Sequence, residues 1–185
     1  MIPRCLECGA PLKERVIERY EETLLGIPLV LINAVIWSLC ENCGEVALAQ
    51  PDLPGLTAAA AIARCLRPLR LGGAELKFLR KALDLTPGEF AALLGTTADA
   101  VRAWESDGGS LEPAAEKQVR QAVCAQLRAL APAQPYAPEE IAALDLVSAT
   151  NQPEPPLTLE RVALPHPGQD DPDYQWHAVN LPSAA

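Results

Sequence analysis

The 185-residue chain is 49% apolar but only 4% aromatic, which suits two small domains, helical above all, with cores built from Leu, Ala and Val. A net charge of −9 would argue against a nucleic-acid partner if it were evenly spread; instead residues 129–185 hold 8 acidic groups against 1 basic, and residues 74–128 are nearly balanced at 8 against 7. The acidity therefore belongs to the tail, and the middle of the chain keeps nucleic-acid binding open.

No N-terminal stretch combines a basic start, an apolar run and a small-residue cleavage site, so a cytoplasmic location is expected. The weakly charged run from Leu24 to Cys40 is interrupted by Pro28, Asn33 and Ser38 and rich in β-branched residues, which reads as strand rather than membrane span. In chain order, strands are expected over residues 14–20 and 29–37, the second carrying Val30, Ile32, Val35 and Ile36. Pro51 and Pro54 mark a linker, followed by an Ala-rich helix over 56–66. Helices are expected over 74–83, 86–94, 97–105 and 113–130, with a shorter one over 138–147.

The fold expected is α+β. A β-rich module covers residues 1–50, a linker with a short helix 51–73, an all-α domain 74–130 and a Pro-rich acidic tail 131–185. The tail holds 10 of the 18 prolines and reads as a solvated, loosely ordered arm. The alternative is a hairpin of the runs 157–164 and 174–181, with Tyr174 and Trp176 as anchors. His166 and His177, the only histidines, are read as surface residues of that tail.

Cys5-Leu6-Glu7-Cys8-Gly9 and Cys40-Glu41-Asn42-Cys43-Gly44 are two copies of one device. A C-x-x-C turn brings two thiolates to one ion, and two such turns complete a tetrahedron, so Cys5, Cys8, Cys40 and Cys43 are read as ligands of one structural zinc. The glycine after each pair permits a left-handed turn. Four thiolates leave no open coordination position, which argues against a zinc enzyme. Cys65 and Cys124 lack partner spacing and read as small core residues.

Thr86 with Glu89 forms a capping-box pattern ahead of Pro87 at the first helical position. Phe90, Ala91 and Leu94 then face inward, Gly95 allows a tight turn, and Thr97 caps a helix that buries Val101 and Trp104. Ala98, Asp99, Arg102 and Glu105 are expected to point outward. As a helix-turn-helix, this unit would set Thr97, Ala98, Asp99 and Arg102 in the major groove of DNA, with Lys117 and Arg120 clamping phosphates from the next helix. A small helical bundle that never meets DNA has the same pattern.

The stretch from Phe78 to Leu83, followed by Leu85-Thr86, Leu93-Leu94-Gly95 and Trp104-Glu105, resembles the Cro/repressor class of helix-turn-helix. Joined to the two C-x-x-C-G turns, the order over residues 1–130 is similar to the MqsA-type antitoxins and their zinc-finger relatives. The resemblance implies a zinc module that binds a partner protein, typically a toxin, and a helical domain that forms a homodimer and represses its own promoter. Residues 113–130 are the expected dimer contact, through the stripe Val119, Val123 and Leu127. The chain departs from the pattern at Pro87, where the class has a phosphate-binding glutamine. It departs again at Asp99 and Ala103, where the antitoxins carry a base-reading asparagine and arginine. The expected activity is thus that of an autorepressing DNA-binding regulator rather than an enzyme. The alternative is a protein-binding antitoxin or adaptor with weak specific DNA recognition.

Overall fold

The computed structural model describes residues 3–106, 110–148, 155–164, 173–179 and 181. Strands β1 (Lys13–Leu24) and β2 (Ile27–Leu39) pair antiparallel from Lys13↔Leu39 to Leu24↔Ile27. The two-residue turn between them has φ of 50° at Leu25 and 94° at Gly26, the left-handed geometry whose twist matches a hairpin. The register shifts between Ile17 and Arg19, and Asn33 on the facing strand takes φ of 48°. A short β3 (Val46–Ala49), not anticipated from the sequence, pairs with the far end of β2.

The described parts of the tail are folded. Strands β4 (Leu157–Leu164) and β5 (Asp173–Val179) form the hairpin alternative, paired from Thr158↔Val179 to Leu164↔Asp173. The expectation of a loosely ordered arm fails for these residues because β4 adds to β2 in parallel, Leu29↔Leu157 to Ile32↔Glu160. The sheet order is β1-β2-β4-β5 with β3 also on β2. Trp176 has 0% exposure and its indole N–H donates to the Asp52 carbonyl at 3.0 Å. It anchors on the protein's own core, whereas Tyr174 is half exposed. His177 lies half-buried on β5, with no partner for Nδ1 among the described residues. His166 is outside those residues.

Helix α1 (Leu53–Leu66) starts at Asp52, whose carboxylate accepts from the Gly55 amide at 3.0 Å. Every residue from Ala58 to Cys65 is buried. A helix buried all round needs neighbours on all sides, and alanines at 58–61 and 63 let backbones approach closely. The segment read as a linker helix is thus the centre of the core, packed on β4, β5, α2 (Gly73–Ala82), α5 (Pro113–Leu127) and α6 (Pro138–Ala143). The last helix stops short of the expected residue 147, where Val147 instead bridges to Leu69.

Between α2 and α5 lie α3 (Pro87–Leu94) and α4 (Ala98–Trp104), with boundaries close to those expected. The capping box is present: the Glu89 amide donates to Thr86 Oγ1 at 3.3 Å and the Thr86 amide to Glu89 Oε2 at 2.8 Å. Those bonds from Thr86 hold the Glu89 carboxyl below its ordinary pKa. Gly95 ends α3 at φ of 67°, and Thr97 Oγ1 caps α4 by accepting from the Ala100 amide at 3.2 Å. Phe90, Ala91 and Val101 are buried and Trp104 is half-buried. No helix among the described residues is long and apolar enough to cross a membrane.

Candidate metal centre and candidate nucleic-acid interface

The two cysteine turns sit side by side because β1 and β2 are antiparallel: one turn precedes β1 and the other follows β2. Their backbones repeat each other. The Gly9 amide donates to the Cys5 carbonyl at 2.9 Å and the Gly44 amide to the Cys40 carbonyl at 2.8 Å; the Cys5 and Cys40 amides donate to Ala10 and Glu45 carbonyls at 2.8 and 2.9 Å. Gly9 and Gly44 take φ of 73° and 78°, a conformation that costs glycine least.

The Sγ atoms stand at 3.4 Å for Cys8–Cys40 and 3.6 Å for both Cys5–Cys43 and Cys8–Cys43. All four lie within 4.8 Å of one another. A tetrahedron with metal–sulfur bonds of about 2.3 Å has edges of about 3.8 Å, so this cluster is of a size to hold one metal ion. Cys5 and Cys40 are buried while Cys8 and Cys43 are exposed. The Cys8 thiol is pulled down to about 6 by the Ala10 backbone and the Asn42 side chain. At Cys43 the Glu45 backbone acts in the same direction, but the neighbouring thiols of Cys40, Cys5 and Cys8 outweigh it and push Cys43 up to about 12. Such crowding favours a cation, which lets all four ionise together. Asn42, inside the second turn, carried no signal in the sequence reading.

Cys65 and Cys124 are buried in α1 and α5, away from this cluster. Contact with Cys65 and burial together raise the Cys124 thiol, as for a neutral core residue.

The outward face of α4 is partly as expected. Thr97, Asp99 and Arg102 are exposed and Ala98 is half-buried. Arg102 Nη1 donates to Asp99 Oδ1 at 2.8 Å, with side chains 62% and 94% exposed. Glu105 does not point outward: it takes both Nε and Nη2 of Arg80, at 2.6 and 2.9 Å, with both side chains nearly enclosed. Arg80 also donates to the Leu85 carbonyl at 2.7 Å, and Glu105 raises the Arg80 pKa against the effect of burial. These contacts tie the end of α4 to α2, which the sequence reading missed.

The expected phosphate clamps are placed differently. Arg120 has 0% exposure and cannot meet a phosphate. It donates to the carbonyls of Cys65, Arg67 and Leu69 at 2.7, 2.6 and 2.5 Å and to Glu116 at 2.7 Å. It therefore satisfies the Cys65 carbonyl in the last turn of α1 and two carbonyls of the segment that follows. Lys117 is half-buried, its ammonium donating to the Ala142 carbonyl at 2.7 Å. Val119, Val123 and Leu127, the expected dimer stripe, are buried in the chain's own core and are not a free surface.

Comparison with protein-family models, with curated proteins and with solved structures finds no match to this chain.

Proposed function

We propose that the protein is a DNA-binding transcriptional regulator that reads duplex DNA with α4, its four cysteines holding one structural zinc. The observation that carries this reading is the fixed presentation of α4: capped by Thr97, turned by Gly95 and tied to α2 through Arg80 and Glu105, it leaves Thr97, Asp99 and Arg102 in solvent. That is what a helix entering the major groove requires. Zinc is favoured over other metals because four thiolates in a tetrahedron suit a d¹⁰ ion of no redox activity. Autorepression and a homodimer are what the antitoxin resemblance adds. Metal analysis of the purified protein, with selection of bound sequences from a random duplex library, tests the reading; one zinc per chain and a recurring sequence are expected.

A second reading, a protein-binding antitoxin or adaptor with weak DNA recognition, is favoured by one observation. Arg102 is the sole cation on α3 and α4, and it is paired with Asp99. Purification with bound companions separates the two: a toxin-like protein without selected DNA supports the adaptor.

A further inference from the structure

The acid on α4 is where the chain departs most from a DNA reader, since a carboxylate in the groove repels phosphate. Its placement changes what it can do. Asp99 stands one turn before Arg102 and accepts from Nη1 alone. Among the described residues Arg102 has no other hydrogen-bond partner, so its Nε and Nη2 edge remains available. A guanine presents two acceptors, N7 and O6, which match two parallel donors of one guanidinium edge.

Resting on the DNA-reading proposal, we infer that Asp99 is a positioning residue that holds Arg102 for bidentate recognition of guanine. The ordinary account of such a pair is helix stabilisation, but an exposed pair three residues apart contributes little to it. Its larger effect is on freedom. An arginine side chain loses much rotamer entropy when it binds, and a guanidinium already tethered at one nitrogen loses less. The carboxylate also spends its charge on Arg102, which lowers its repulsion of the duplex. The neighbours permit the arrangement: Thr97 Oγ1 is occupied by the Ala100 amide, Ala98 is small, and Glu105 is committed to Arg80, so among the described residues no acid besides Asp99 pairs with Arg102. The specificity unit of α4 is thus the pair, with Arg102 touching the base and Asp99 acting through it.

The test uses the full metal-loaded chain and sequence selection from a random duplex library, followed by titration of the selected site and of variants with each base replaced. The native protein is expected to require guanine at one position of the site. Arg102→Ala should lose that requirement, with affinity for the selected site falling about 5- to 150-fold. Asp99→Ala should weaken the preference at that same base, Asp99→Asn, which keeps an acceptor, should restore part of it, and the double variant should be no worse than Arg102→Ala. The inference is overturned if Asp99→Ala tightens binding to all sequences equally with the guanine preference unchanged, which is plain charge repulsion, or if the two effects add. Selection of a recurring site whose base preferences ignore Arg102 rejects the pair but leaves DNA reading intact. No recurring site from the native chain rejects DNA reading itself, and the pair with it.

Discussion

Arg80 on α2 and Glu105 at the end of α4 form a two-pronged ion pair, at 2.6 and 2.9 Å, with side chains only 10% and 9% exposed. The pair ties α2 to the end of α4, whose Thr97, Asp99 and Arg102 are left in solvent.

Removing one partner leaves the other charged and enclosed, which costs about 3–5 kcal/mol, more than the pair itself contributes. Glu105→Ala should therefore lower stability by that order in urea unfolding. Replacing both residues with apolar ones of similar size should recover most of the loss. Losses in the two single variants that simply add in the double variant would mean that the pair does not hold α4.

The tail should behave as part of the core. Truncation after Ser148 removes Trp176, Leu157 and Leu159, all buried, together with Pro155, whose carbonyl accepts from Arg67 at 2.7 Å. Trp176→Ala alone is expected to cost about 3–5 kcal/mol, and the truncated chain should lose cooperative thermal unfolding. An arm of negative charge lying in solvent would instead leave stability unchanged and raise affinity for non-specific DNA.

Metal affinity should fall as the medium is acidified, because bound thiols must lose their protons. Cys43, at about 12 in the metal-free chain, surrenders a proton on binding at any neutral pH, and Cys8, at about 6, does so as well below that value. Without metal, the lowered Cys8 value favours the fold above the unfolded thiol value of 9.0, a contribution lost as pH falls through about 6. Chelator competition should therefore show affinity declining with pH and more steeply below about 6. A flat profile would be incompatible with thiolate ligands. Cys40→Ser should abolish tight binding and loosen the β1–β2 end first, read by amide exchange.

The sequence carried local signals well and non-local ones poorly. The C-x-x-C-G turns, Thr86 with Glu89, Gly95 and Thr97 each act within five residues, and each is found where expected. The burial of Arg120 was also legible. Residues 116, 119, 120, 123 and 127 form one helical stripe, so Glu116 and Arg120 share the face of Val119, Val123 and Leu127, and all five are buried. Reading a basic residue as surface hid this. The tail's fate depended on parallel pairing with β2, more than a hundred residues earlier in the chain. No local pattern announces such a partner, and the prolines around it masked the alternation of Leu157 and Leu159.

Footprinting of the zinc-loaded protein on its selected duplex, beside Arg102→Ala under the same salt, tests most directly whether α4 reads DNA. The account predicts a discrete protected site whose protection Arg102→Ala removes, with a shallow dependence on salt because few cations are placed to displace counterions. Absence of protection at micromolar concentration by folded, metal-loaded protein, or protection that Arg102→Ala leaves untouched, would contradict it.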